Sequence, residues 1–266
     1  NLKKLNVAFN KNKKFKFVVL DNFFNIKDAE FLENNFPNIN QMPTIFKEPM
    51  SFKGQLSDIN TYWPKFAKYF DFLQSKSFRD LISEITGIKN LIKDDILAGG
   101  GLHQSPRSGF LDLHVDANKH PFNKKLHRRL NLIIYLNKNW RKEYGGSLEL
   151  WDDDNLRPGK IIRKVLPKFN RAVIFATTRK SWHGVEEVNC PAEQARKSIA
   201  LYYYTASRPN EERYVDSSVI WFGKSPLKKI YHSAYNRNLT TPLRRQKKTT
   251  GLDNWELQLL MVAMTK

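Results

Sequence analysis

A mainly β fold with flanking helices, a jelly roll behind a helical N-terminal layer, is what the sequence predicts. Three observations point there. Downstream of Ile96 the chain breaks into short β-rich runs separated by turn residues. Upstream of it, apolar residues recur at helical spacing. Hydrophobic residues make up 41% of the 266, with 18 Phe, 10 Tyr and 6 Trp, enough large apolar side chains to bury a sizeable core and exclude disorder.

The elements follow in order. Phe15 to Leu20 (Phe-Lys-Phe-Val-Val-Leu) is strand-like. A helix is expected from Lys27 to Phe36, with Ala29, Leu32 and Phe36 on one face and Pro37 ending it. Asn38 to Asn60 reads as irregular, because Pro43 and Pro49 interrupt any long element. A second helix is capped by Ser77 and carries Phe78, Leu81, Ile82 and Ile85 at i, i+3, i+4 and i+7, with Gly87 placed to end it. Gly99-Gly100-Gly101 then opens the β region. Its strands are expected at Phe110 to Val115, Leu130 to Leu136, Ser147 to Trp151, Lys160 to Leu166, Ala172 to Ala176 and Ser198 to Thr205. Turn signals at Tyr144-Gly145-Gly146, Asp152 to Asn155 and Arg157-Pro158-Gly159 part them. A closing helix is expected at Leu252 to Met264. With no internal repeat, the chain reads as one domain over 1–266, with a helical part over 1–95, a core over about 96–208 and a C-terminal extension over 209–266.

Composition bounds the function. The formal charge is +19, from 45 Lys+Arg against 26 Asp+Glu, which suits a polyanionic partner such as nucleic acid or acidic lipid. Against this, the basic residues are spread along the chain, and no zinc finger or basic zipper helix is present. Cys190 is the one cysteine, so a disulfide scaffold and a paired-cysteine zinc site are excluded, and a reducing, cytoplasmic setting is the simplest reading. The longest apolar runs, Leu130 to Leu136 and Ile199 to Tyr204, fall far short of the ~20 residues of a membrane span. Asn1-Leu2-Lys3-Lys4 is not followed by the apolar core of a secretion signal, and the Asn238-Leu239-Thr240 sequon is read as chance.

Chemistry is concentrated in four residues. In His114-Val115-Asp116, strand alternation turns positions i and i+2 to the same side, so an imidazole and a carboxylate converge. His183 follows 67 residues after Asp116, just past the strand expected at Ala172 to Ala176. Two histidines and one carboxylate form the facial triad of non-haem Fe(II) oxygenases, which leaves coordination positions open. Alone, a His-x-Asp is more often a hydrogen-bonded pair. Arg196, 13 residues past His183, shares a strand face with Ser198 and offers a carboxylate a guanidinium fork and a hydroxyl. A metal site facing an arginine is what a dicarboxylic keto acid requires.

Taken in order, Asp112 to Asp116, Ile134 to Trp140, Gly145 to Leu150, Pro167 to Arg171, Trp182 to Val185 and Arg196 to Tyr204 resemble the 2-oxoglutarate/Fe(II)-dependent dioxygenases, in particular the prolyl-4-hydroxylase-like branch. The resemblance spans about Gly99 to Arg208. It implies a double-stranded β-helix, the jelly roll of this family, with His114, Asp116 and His183 as iron ligands and Arg196 on the distal carboxylate of 2-oxoglutarate. Tyr135 sits where the family often places a tyrosine supporting that carboxylate; it reads equally as a core aromatic, and Ser198 is a further candidate for the pocket. The resemblance also implies Fe(II) and 2-oxoglutarate, ascorbate as reductant, and hydroxylation of a prolyl residue in a peptide or protein substrate, giving succinate and CO2. The chain departs from the pattern at Gly109-Phe110-Leu111-Asp112, which lacks the tyrosine of many relatives; Gln104 or His103 is the candidate for its polar contact.

The remaining features take ordinary roles. His120 and His127 fall in a polar connection that borders a candidate substrate groove, His232 reads as a surface residue and Trp182 as packing. Asp152-Asp153-Asp154 reads as a hairpin turn, since calcium-loop oxygens come at alternate positions. The same chemistry on a nucleic acid, a sugar or a free amino acid stays open, as does a non-catalytic basic jelly-roll binding module.

Overall fold

The computed structural model describes residues 1–212 and 218–222. In chain order the helices are α1 (Leu2–Lys11), α2 (Ile26–Asn34), α3 (Ile59–Tyr62), α4 (Ala67–Gln74) and α5 (Lys76–Thr86). The strands are β1 (Phe17–Leu20), β2 (Thr44–Glu48), β3 (Ser51–Leu56), β4 (Gly101–Ser105), β5 (Phe110–Val115), β6 (His127–Tyr135), β7 (Leu148–Asp153), β8 (Pro158–Val165), β9 (Arg171–Ala176), β10 (Trp182–Val185), β11 (Arg196–Thr205) and β12 (Ile220–Phe222). The pairing is antiparallel throughout and runs β1-β9-β6-β11-β4-β3-β5-β10-β7-β8, with β2 added to β3 and β12 to β5. The sheet curls so that β5, β10, β7 and β8 face the longer half. This is the double-stranded β-helix expected from the sequence.

Strand alternation sorts β6 between two cores. Leu130, Leu132 and Ile134 face outward and pack against the helices, with Phe78, Ile82 and Ile85 of α5. Ile133 and Tyr135 face inward, into a cluster with Leu148, Leu150, Val173 and Phe175. Each such buried side chain contributes about 1.5–3 kcal/mol. Aromatic edges stitch the helical layer to itself, as in Phe66 against Tyr69 at 6.3 Å, and the Tyr69 hydroxyl donates to Asp28 Oδ1 at 2.7 Å.

Helix α5 follows its expected face with two changes. Ser75, not Ser77, is the cap, accepting the Phe78 N–H on its Oγ, and Leu81 is 38% exposed because the buried stripe runs through Phe78, Ile82 and Ile85. Gly87 ends the helix at φ +76°, in the left-handed region that suits glycine. Residues 38–60 are not irregular. They hold the β2–β3 hairpin, and β3 pairs with both β4 and β5, so the prolines flank the strands instead of interrupting them. The 1–95 part therefore supplies three strands to the sheet besides its helices, and α1, α4, β4 and β10 are elements the sequence reading did not place. The turn expected at Asp152 to Asn155 begins later, at 154. Asp152 and Asp153 end β7, and Asp152 pairs with Lys14 at 2.7 Å. The expected helix at 252–264, His232 and the sequon at 238–240 lie outside the described residues. No described helix is long and apolar enough to cross a membrane.

Candidate metal centre and its cavity

Strands β5 and β10 are neighbours, and their register sets His183 directly opposite His114. Each ring is buried and held at Nδ1 by a backbone carbonyl two residues earlier: Asp112 O at 2.8 Å for His114 and Ser181 O at 2.9 Å for His183. A carbonyl only accepts, so Nδ1 carries the proton and Nε2 keeps its lone pair. Both Nε2 atoms turn toward Asp116, one residue past β5, at 3.5 Å from Oδ1 and 3.7 Å from Oδ2. The donor atoms of His114, Asp116 and His183 lie within 4.8 Å of one another, and all three residues are buried. Phe175 packs on the His183 ring at 4.8 Å and Trp221 of β12 on the His114 ring at 4.9 Å, walling the cluster from solvent.

The electrostatics suit these groups to hold a metal ion. Burial alone would raise the Asp116 carboxyl, but His183, His114 and Arg128 outweigh it and hold the group well below the usual carboxylate range. Burial, then the neighbouring His114, push His183 down to about 4, so its ring is neutral at pH 7. Arg128 Nη1 lies 3.5 Å from Asp116 Oδ1, and its guanidinium stacks on the Tyr202 ring at 3.8 Å. A one-residue slip in register between Tyr203 and Tyr204 sets Arg128 opposite Tyr204. Arg128 Nη2 lies 3.5 Å from the Tyr204 hydroxyl, which in turn donates to Asp94 Oδ2 at 3.4 Å.

Next to the cluster a cavity is lined by His114, His183, Arg196, Ser198, His103 and Lys53, among others. Cross-strand register arranges its polar side chains in rows: Arg196 stands opposite Ser105, and Ser198 opposite both His103 and Tyr135. Arg196 is buried, and its Nε donates to Gly146 O at 2.7 Å. Gly146 has φ +67°, and a Cβ there would be strained and stand 3.1 Å from Arg196 Cδ, so the arginine would have to shift slightly to make room for one. Tyr135 combines both of its expected readings. Its ring packs in the inner core, its hydroxyl is buried without a hydrogen bond, and the Arg196 guanidinium carbon lies 4.9 Å from the ring centre.

Of the two candidates for the missing tyrosine's contact, the register selects one. Gln104 faces away and donates to Pro37 O at 3.0 Å, whereas His103 lines the cavity with a buried Nε2 that has no partner. Trp182 packs as expected and donates its Nε1 to Asp153 at 2.9 Å. His120 is not an open loop residue. It is buried, with its Nε2 3.2 Å from Asp94 Oδ1. Lys53, Arg128 and Ser105 are the site residues the sequence reading missed. The Arg128-Arg129 pair directly before an apolar strand run is the one local signal that marks any of them.

The stretch 100–204 matches the family profile of the 2OG-Fe(II) oxygenase superfamily. Over 93 residues the chain is 33% identical to the prolyl 3-hydroxylase OGFOD1 of Mus musculus, covering 35% of this chain and 17% of that protein. The chain thus spans about a sixth of the length of this curated relative. In structure it resembles a Pseudomonas putida prolyl-4-hydroxylase, with a TM-score of 0.53 at 15% identity over 76% of this chain and 98% of that one. It also resembles a prolyl hydroxylase from Trichoplax adhaerens in complex with a hypoxia inducible factor peptide fragment, with a TM-score of 0.53 at 21% identity over 76% and 90% of the two chains. These two structures share the fold. The profile spans the strands that carry His114, His183 and Arg196, so the part of the chain that holds the site is similar to the 2OG-Fe(II) oxygenase superfamily.

Proposed function

We propose that the protein is a 2-oxoglutarate- and O2-dependent Fe(II) dioxygenase that hydroxylates a prolyl residue of a peptide or protein, releasing succinate and CO2. The observation that carries this reading is the buried cluster of His114, Asp116 and His183 beside a cavity whose wall presents Arg196. The donor set fits Fe(II): two imidazoles with free Nε2 lone pairs and one ionised carboxylate suit the metal and leave positions for a chelating keto acid. Bound iron supplies the activation of O2 that an unreactive C–H bond demands.

The chain's own residues bind, orient and exclude water. Asp112 O and Ser181 O hold the two rings in one tautomer, and Arg128 holds the Asp116 carboxylate ionised and oriented. Arg196 takes the distal carboxylate of 2-oxoglutarate through its free guanidinium edge, because Gly146 O occupies only Nε. The Ser198 hydroxyl and the unpartnered Tyr135 hydroxyl support the same carboxylate. The activities for which the relatives are named, prolyl hydroxylation in each case, and the peptide held by the Trichoplax protein support a peptide or protein substrate. Ascorbate serves as the reductant that keeps iron ferrous. A reducing, cytoplasmic setting suits the one cysteine, Cys190, which is free and buried.

The test is succinate formation from 2-oxoglutarate with Fe(II), O2 and proline-containing peptides, with the peptides read by mass spectrometry for a gained oxygen. Wild type is expected to couple succinate to hydroxylated peptide, and His183→Ala and Arg196→Ala to lose both. A wild-type protein that binds neither Mn(II) nor 2-oxoglutarate refutes the reading.

A further inference from the structure

The cavity holds a cation that nothing described in the fold satisfies. Gly54 pairs with Gln104, which sets Lys53 beside Ser105, and Ser105 pairs with Arg196. Lys53, Ser105 and Arg196 therefore cross the wall in one row, on three adjacent strands, with the outer two backbones about 10 Å apart. All three line the cavity. The Lys53 ammonium lies over the Phe46 ring at 5.5 Å from its centre, and among the described residues no oxygen pairs with it. The one carboxylate whose charge reaches it is Asp116, which Arg128 and two imidazoles already surround.

A half-buried lysine facing a cavity without an anion is costly and uncommon. Burial draws this ammonium down to about 8, which leaves it largely charged at pH 7. Within hairpin β2–β3 that charge meets only the face of the Phe46 ring, a weak partner beside an anion.

We propose that Lys53 is a second carboxylate anchor, whose ammonium takes an anionic oxygen of a ligand bound between Arg196 and the His114–Asp116–His183 cluster. The proposal rests on the dioxygenase reading, in which Arg196 is occupied by the distal carboxylate of 2-oxoglutarate. The anion that meets Lys53 is then a different carboxylate: the metal-facing one of the keto acid, or an acidic side chain next to the hydroxylated residue.

The experiment compares wild type, Lys53→Met and Lys53→Arg. Calorimetry gives the Kd of 2-oxoglutarate on the Mn(II)-loaded proteins, turnover is measured on peptide pairs with Asp or Asn beside the proline, and melting is followed without ligands. A keto-acid anchor predicts a 2-oxoglutarate Kd weakened roughly 10- to 100-fold in Lys53→Met and partly restored in Lys53→Arg. A substrate anchor predicts unchanged 2-oxoglutarate affinity but loss of the preference for the Asp peptide. In both cases ligand-free Lys53→Met melts no lower than wild type, because an unpaired buried charge has been removed. A Lys53→Met protein that keeps both the affinity and the peptide preference overturns the proposal, as does one whose sole defect is a lower melting temperature. Failure of wild type to bind 2-oxoglutarate is read separately; it sinks the dioxygenase reading and the anchor with it.

Discussion

Removing the carboxylate of the His114–Asp116–His183 cluster should weaken the metal-free protein. Many clusters of acidic ligands repel one another when empty, so that neutralising one of them stabilises the fold. Here Asp116 is the one carboxylate in the cluster, and it faces Arg128 at 3.5 Å and two imidazoles. At an effective dielectric constant of ~20, unit charges at that Arg128 distance attract by about 5 kcal/mol. Breaking a buried pair also leaves the surviving charge uncompensated, typically by about 3–5 kcal/mol. Asp116→Asn should then lower the melting temperature by roughly 6–20 °C, given about 2–4 °C per kcal/mol for a domain of this size. The assay is calorimetric melting in the presence of a chelator. The pH dependence follows from the sign of the shift. A carboxyl held below its unfolded value stabilises fully above pH ~4 and loses that contribution as pH falls toward its folded value, so wild type and Asp116→Asn should converge in acid. A variant that melts at or above wild type at pH 7 would refute the reasoning, since Asp116 would then not be compensating Arg128.

Three further outcomes are expected. Gly146→Ala forces a side chain into the left-handed region, at a cost of about 1–2 kcal/mol, and presses its Cβ on Arg196 Cδ. Calorimetry should therefore show weaker 2-oxoglutarate binding with Mn(II) affinity retained, and equal loss of both would contradict the placement of Arg196. Ile82→Ala, under the outer face of the sheet, should lower stability in urea by about 2–5 kcal/mol; a loss below about 1 kcal/mol would mean that α5 does not seal that core. Lys53 has a folded value of about 8, below its ordinary 10.5, so its charge destabilises fully below pH 8 and is relieved as pH rises toward 10.5. The stability gap between Lys53→Met and wild type, at most about 3 kcal/mol, should shrink over that window in urea melts, and a gap that widens would count against a buried ammonium.

Local signals were legible wherever a single element decides the outcome. The i, i+3, i+4, i+7 pattern located α5, and a glycine able to adopt positive φ marked its end. His114 and Asp116 converge because they stand two residues apart at the end of one strand, a property of strand geometry that needs no partner. The ordered motif from Gly99 to Arg208 carried the fold and the family resemblance. The reading failed at Ser51 to Leu56, a segment of mixed polarity beside two prolines. That segment becomes a strand because β2 pairs along one of its edges while β4 and β5, some 50 residues onward, share the other end to end.

Periodicity and spacing, which act within a few residues, thus determined the β-rich core, its helical cover and the convergence of His114 with Asp116, while the double-stranded β-helix and the joining of His183 to them were legible only through the family resemblance. Tertiary structure alone decided which charges face one another. The slipped register of β6 against β11 carries Arg128 to Asp116, and the seating of β3 alongside β4 and β5 carries Lys53 into the row of Arg196. The physical reason is that register between strands distant in the chain depends on which backbone edges remain unpaired once the sheet has curled, and no stretch of neighbouring residues encodes that.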